Sequence, residues 1–400
     1  MQFSERRVWR NSIYIPEGVF LTMKTRVVAL FGALILFAVL SNTSVPAMAQ
    51  TKAVIATTQS STGTPKAAPK AAPKPQPRRS ATASTKPFSG DEARHDDPVV
   101  RNAAIKALGN FRSAALVSVD PSNGRILTIV NQKLAFESYQ PCSTFKPAVA
   151  LAALEEGVIE KDKTRLQLGR KWYLDLTRSL TISNNLYFEK LGGQLGLEKM
   201  RDYARRFGFG ELASWGLPEE NRGAVPIEAP PASRGGVGRI ASFGEGIEQT
   251  LLQQASFMSA LSNGGTLFYL QYPLEEGRFE PLVKRRLEID PWLDTVREGL
   301  EGAVVQGTAR RAKQPDVTIL GKTGTCRQDG ARLGWFAGYS QDEGGLAVAV
   351  LIRGGQASGP LASGLAGNFY RNLADEHYLP ESAKAGNRIT PAAAVPLILR

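Results

Sequence analysis

Ser143-Thr144-Phe145-Lys146-Pro147-Ala148-Val149-Ala150-Leu151-Ala152-Ala153-Leu154-Glu155-Glu156-Gly157 decides the reading of this chain. Alanine and leucine fill the run and Gly157 stops it, which predicts a buried helix. Pro147 would break a helix interior, but the first-turn N–H groups have no partner, so the helix is expected to begin near Ser143. A serine hydroxyl then sits where N–H groups and the positive dipole end converge, with Lys146 one turn on along the same face. Such a lysine serves as base if burial and a nearby cation lower its proton affinity. The chain has two histidines, His95 and His377, both outside the stretch that carries the motifs. A Ser-His-Asp or Cys-His site is therefore not expected.

Two further motifs follow in order: Ser183-Asn184-Asn185 and Lys322-Thr323-Gly324-Thr325. Each is common by itself; their order and local settings carry the argument. Lys322 supplies the second cation. Asn185 can hydrogen-bond both Lys146 and a substrate amide, and Ser183 can relay a proton because a hydroxyl both donates and accepts. Thr323, Gly324 and Thr325 are expected to line a strand that binds a terminal carboxylate beside Lys322. The N–H groups of Ser143 and Thr325 are candidates for an oxyanion hole.

Around these motifs, residues 113–119 and 125–130 read as strands joined by Asp120-Pro121-Ser122-Asn123-Gly124, an opening hairpin. Helices are expected around 184–191, 197–207, 250–261 and 291–305, the last with Asp290-Pro291 as cap and first turn. Apolar strands at 317–320, 333–339 and 346–352 and a helix over 361–376 close the chain. Strands at both ends with helices between them predict an α+β fold, its antiparallel sheet built from the N-terminal hairpin and the C-terminal strands. Trp172, Trp215 and Trp292 read as packing residues and Trp335 as core. No Cys/His/Asp cluster has metal-ligand spacing, so neither a metal nor a cofactor is expected.

The three motifs together are the signature set of penicillin-binding proteins and class A β-lactamases. The chain resembles the transpeptidase domain of penicillin-binding proteins over residues 98–378. Residues 179–188 look like that family's second-motif context, as do Leu217-Pro218-Glu219-Glu220-Asn221-Arg222-Gly223, Gly307-Thr308-Ala309 and Gly334-Trp335-Phe336-Ala337-Gly338-Tyr339. The resemblance implies a β-lactamase/transpeptidase-like fold with an all-helical lobe beside the sheet. It also implies a D,D-transpeptidase acting on the D-Ala-D-Ala end of peptidoglycan stem peptides through Ser143, with β-lactams as covalent inhibitors and a glycosyltransferase as partner. There are departures. Only 40 residues separate Ser143 from Ser183, which suggests a trimmed helical lobe, and Glu245 stands where the family's Gly-Gln-Gly has glutamine. Residues 1–97 are not expected to form a glycosyltransferase domain or a large pedestal.

The two cysteines, Cys142 and Cys326, flank the first and third motifs. If the third-motif strand lines the serine, they fall on adjoining walls of one cleft, and an exported chain would bond them. The placement resembles carbapenem-hydrolysing class A β-lactamases, which keeps serine β-lactamase, beside D,D-carboxypeptidase, as an alternative. A β-lactamase needs a base for deacylation, and Glu219 and Glu220 are the tempting acids. A β-lactam sensor or scaffold is the non-enzyme alternative; an intact set of reactive residues argues against it.

Residues 1–49 read as a secretory signal peptide: Met23-Lys24-Thr25-Arg26, an apolar run over 27–40, and Ala47-Met48-Ala49. Met23 is then an alternative start, and an uncleaved anchor through 27–40 is the alternative to cleavage. Residues 50–97 read as a disordered Pro/Ala/Lys tether and 379–400 as a C-terminal tail. Of the net charge of +12, the leader carries +3 and residues 50–90 carry +7. The basic character therefore belongs to exported, extended segments, and nucleic acid is not an expected partner. The expected location is periplasmic or extracytoplasmic.

Overall fold

A computed structural model describes residues 88–161, 163–273, 279–342 and 344–379. The expected signal peptide, the tether as far as residue 87 and the tail after Leu379 lie outside the described residues. In chain order the elements are α1 (Pro98–Leu108), β1 (Ala114–Val119), β2 (Ile126–Val130), α2 (Gln132–Phe136), a 3-10 turn (Cys142–Phe145) and α3 (Lys146–Glu155). The helical lobe follows as β3 (Leu166–Gly169), β4 (Trp172–Leu174), α4 (Leu176–Thr181), α5 (Asn185–Arg206), α6 (Gly236–Phe243) and α7 (Leu251–Ser262). The chain continues through β5 (Thr266–Phe268), β6 (Val283–Arg286), α8 (Asp290–Val305), β7 (Ile319–Gln328), β8 (Ala331–Ser340), β9 (Ala347–Arg353) and α9 (Gly359–Asp375).

The main sheet has the order β2-β1-β9-β8-β7 and is antiparallel throughout, so the opening hairpin joins the closing strands as the sequence predicts. Both faces are covered, which is why β1 is buried at every position. Alternate side chains enter two cores. Val117, Trp335, Ala349 and Leu351 face the core that contains α3 and α7. Leu116, Phe336, Val350 and Ile352 face the one built with α1 and α9. In β7 Leu320 belongs to the first core, and the two-residue period then sends Lys322, Gly324 and Cys326 to that same face. Strand parity therefore turns Lys322 toward the core that holds α3. Among the described residues β7 is also the edge of the sheet, with one side of its backbone unpaired by any strand.

Helix α3 is buried from Lys146 to Leu154, as a helix apolar all round must be. It begins three residues later than the sequence suggests. Ser143 sits in the 3-10 turn, where the Lys146 N–H bonds the Ser143 carbonyl and Thr144 donates both its N–H and its hydroxyl to the Pro141 carbonyl. The cause is local: Cys142 adopts φ +54°, and Pro147 has no N–H to extend an α-helical ladder backwards. The helices expected over 184–191 and 197–207 form one run, broken at Gly196, which takes φ 79°. The cap of α8 is Ile289, with Asp290 already in the helix.

Residues 88–97 correct the tether reading, because they pack on the domain. Asp91 accepts N–H groups from Asn131 and Gln132, and Asp96 accepts hydroxyls from Thr128 (2.7 Å) and Tyr272 (2.6 Å). Arg101 bridges the two carboxylates at 3.0 and 2.6 Å. Asp97 then caps α1 through the N–H groups of Val99 and Val100, with Pro98 in the first turn. Trp335 is core, but Trp172 and Trp215 are exposed, Trp215 resting edge-on against Tyr269. Among the described residues no helix is long and apolar enough to cross a membrane.

Candidate active site

Four elements deliver the motif residues to one place. The 3-10 turn carries Ser143, α3 opens with Lys146, α5 opens with Asn185 just after Ser183, and β7 carries Lys322. The second motif divides its labour. Asn184 caps α5 by accepting the Tyr187 N–H at 2.9 Å, which frees Asn185 to point away from the helix backbone. Ser183 sits before that cap at φ +56°. A left-handed serine costs about 1–2 kcal/mol, held here by the two lysines that grip it.

Lys146 is fully buried. Its Nζ donates to the Ser183 carbonyl (2.9 Å) and to Asn185 Oδ1 (2.7 Å), lies 3.2 Å from Ser183 Oγ and sits over the Phe188 ring. Lys322, also fully buried, donates to Ser183 Oγ at 2.7 Å and to the Thr323 carbonyl at 3.0 Å. Ser183 Oγ is thus the hinge between two amines. Burial, then the Lys322 cation, hold the Lys146 ammonium well below lysine's ordinary range, while Glu189 pulls the other way. Burial brings Lys322 down to about 7.

Ser143 is buried, and its Oγ donates to the Ser242 carbonyl at 3.4 Å rather than to Lys146. A proton passing from Ser143 to Lys146 would require the hydroxyl to leave Ser242. Gly324 is needed for close approach. A Cβ there would lie 2.9 Å from the Pro141 carbonyl oxygen, 3.1 Å from Cys142 Cβ and 3.3 Å from the Ser143 nitrogen. Cys142 and Cys326 are bonded, with Cα atoms 5.6 Å apart, so the turn that carries Ser143 is pinned to β7. Thr323 and Thr325 project from the other face of the strand. Thr323 Oγ1 bonds Thr308 Oγ1 (2.7 Å), and Thr325 Oγ1 accepts the N–H of Gly359 at the start of α9 (2.8 Å). These hydroxyls and a helix N-terminus make a polar strip suited to a carboxylate.

The structure thus brings Ser143, Lys146, Ser183, Asn185, Lys322, Gly324 and both cysteines together, while the Thr323 and Thr325 side chains lie on the other face of β7. It gives Glu219 and Glu220 other work. Glu220 is buried and accepts N–H groups from Ala213 and Ser214 and hydroxyls from Ser214 and Thr250, tying its loop to the start of α7. Glu219 lines a separate surface cavity with Lys133 and Glu137. Glu245 is held by Arg239 at 2.9 Å and Arg234 at 3.9 Å. Sequence reasoning missed Glu189 and Ser242. Glu189 accepts the Ser242 hydroxyl at 3.4 Å and acts on Lys146. Its position four residues after Asn185 on α5 was the available signal.

Residues 114–374 match the family model of the penicillin binding protein transpeptidase domain. The chain is 30% identical over 311 residues to stage V sporulation protein D of Bacillus subtilis, covering 67% of this chain and 46% of that protein. It is 24% identical over 331 residues to the peptidoglycan D,D-transpeptidase MrdA of Acinetobacter baumannii, covering 63% of this chain and 49% of that one. The chain spans about half the length of these curated relatives. In fold it is similar to the transpeptidase domain of Burkholderia pseudomallei penicillin-binding protein 3, with a TM-score of 0.61 at 20% identity, over 71% of this chain and 95% of that one. With the family model matching well over half of its length, the chain belongs to the penicillin-binding protein transpeptidase domain family.

Proposed function

We propose that this protein is a serine D,D-transpeptidase that acts on D-Ala-D-Ala stem peptides of peptidoglycan through an acyl-enzyme on Ser143. The observation that carries the reading is the hydrogen bonding of Lys146. Its partners at Ser183 C=O and Asn185 Oδ1 are both obligate acceptors. A neutral amine has two N–H groups for those two acceptors and one lone pair left over. That lone pair takes the proton of Ser143 as Oγ attacks the penultimate D-Ala carbonyl. The C–N bond to the terminal D-Ala then breaks, and its departing amine receives a proton through Ser183, which Lys322 orients at 2.7 Å.

The N–H groups of Ser143 and Thr325 are proposed to stabilise the oxyanion, supported by the contact between Gly324 and the Ser143 nitrogen. Thr323, Thr325 and Thr308 receive the terminal carboxylate. Asn185, whose Oδ1 is held by Lys146, has its NH₂ left for a donor carbonyl. The buried, fully bonded Glu220 supports acyl transfer over β-lactam hydrolysis, since it is unsuited to driving water onto the acyl-serine. The basic, apolar leader supports an extracytoplasmic site of action, where a glycosyltransferase supplies the glycan strands.

The test is a pentapeptide donor offered with and without an amine acceptor. Release of D-Ala together with a cross-linked product is expected. D-Ala release with hydrolysed product alone would make the enzyme a carboxypeptidase, and no release would refute the reading.

A further inference from the structure

A cavity of about 700 Å³ lies along the outer edge of β7, between that strand and the end of α6. Thr325 and Cys326 line its inner end, and Cys326 is bonded to Cys142, the neighbour of Ser143. Farther out it is lined by Arg239, Phe243, Glu245, Arg327, Asp329 and Arg332. The charges here are not equally engaged. Arg239 is neutralised by Glu245 at 2.9 Å and stacks over Phe243 at 4.0 Å. Arg327 and Arg332 face each other directly across the β7–β8 register, where like charges repel. Among the described residues neither has an ion pair; Arg327 donates only to the Gly330 carbonyl, at 3.3 Å. Asp329, in the turn between them, is exposed and makes no ion pair either. Two opposed arginines beside a cavity are arranged to take an anion from outside the protein.

β7 is an edge strand, and an extended peptide adds to such an edge by main-chain pairing. On the reading of function above, on which this inference rests, the donor's terminal carboxylate lies by Lys322, Thr323 and Thr308. The rest of the donor must then run the other way, past Cys326 toward Arg327. Each extended residue advances about 3.3 Å, so Arg327, two positions beyond Thr325, is level with the first or second residue upstream of D-Ala-D-Ala. We propose that this cavity is the donor's upstream subsite, and that Arg327 and Arg332 select stem peptides carrying a free carboxylate on one of those two residues over donors in which it is amidated or absent.

The test uses two donors ending in D-Ala-D-Ala that differ only in bearing a carboxylate or a carboxamide upstream. D-Ala release gives kcat/KM for each on the full chain. The wild type is expected to favour the carboxylate donor by about tenfold, the scale of a charge-assisted pair in a solvated pocket. Raising the salt concentration should shrink that preference. The double substitution Arg327→Gln with Arg332→Gln should bring the ratio of the two donors close to one, and lysine at both positions should restore part of it. Equal use of both donors by the wild type, or a preference that survives the double substitution, overturns the subsite while leaving the transpeptidase reading intact. Release of D-Ala from neither donor overturns both.

Discussion

Replacing Lys322 with methionine should separate the two things this residue does. Its Nζ and that of Lys146 both reach Ser183 Oγ, at 2.7 and 3.2 Å, so the two amines are at most about 6 Å apart. At an effective dielectric constant near 20, two unit charges at that distance repel by roughly 3 kcal/mol. Removing Lys322 therefore lets Lys146 hold its proton more tightly. Near neutral pH the fraction of neutral base should fall by at most about a hundredfold, and acylation with it. Stopped-flow acylation by a chromogenic β-lactam, measured from acid to alkaline pH, reads this directly. The acid limb of the Lys322→Met profile should move to higher pH, and much of the lost rate should return as the pH rises. The part that never returns measures the loss of Ser183 orientation. Stability should move the opposite way. The native pKa of Lys322, about 7, lies below its unfolded value, so charging it opposes folding fully below about pH 7. That cost shrinks as pH climbs from about 7 toward the unfolded value of about 10.4, so Lys322→Met should raise the melting temperature more at pH 6 than at pH 9. An unchanged acylation profile would refute the electrostatic argument for the lysine pair.

Serine at both Cys142 and Cys326 removes a bond that spans 184 residues of chain and should cost about 2–5 kcal/mol in denaturant unfolding. Because that bond also fixes Ser143 against β7, acylation should slow; unchanged stability and rate would deny the bond any constraining role. Gly324→Ala places a methyl group against Pro141, Cys142 and Ser143, and about 1–3 kcal/mol of overpacking should appear as slower acylation and a lower melting temperature. A variant with wild-type kinetics would mean the turn and strand can separate freely. Glu220→Gln strips acceptors from a buried network and should cost about 1–3 kcal/mol, with no change in the lifetime of the acyl-enzyme. A longer lifetime would return Glu220 to the role of deacylating base.

Much of the domain was legible because its signals are local. The Ala/Leu run after Lys146, the turn formers between the first two strands and the three apolar strands near the C-terminus each specify an element without help from elsewhere. The lysine pair was legible for a different reason: strand parity, a property of the sequence, fixes the face of Lys322 once Leu320 of β7 is known to share a core with α3. What the sequence hid depends on partners distant along the chain. Residues 88–97 resemble the end of a polar linker until Arg101, Asn131 and Tyr272 gather their aspartates. The late start of α3 follows from the backbone of Cys142, which no composition reveals. Glu189 reads as one more helix-surface acid because only the fold carries α6, with Ser242, against it. Arg327 and Arg332 are five residues apart in sequence and become opposed only through the β7–β8 register.

The central claim is that Ser143, served by Lys146, is the group that becomes acylated. Penicillin-treated protein should gain the mass of one drug molecule, and peptide mapping should place it on Ser143, with no gain in the Ser143→Ala variant. An adduct on another residue, or one that persists after that substitution, would contradict the assignment.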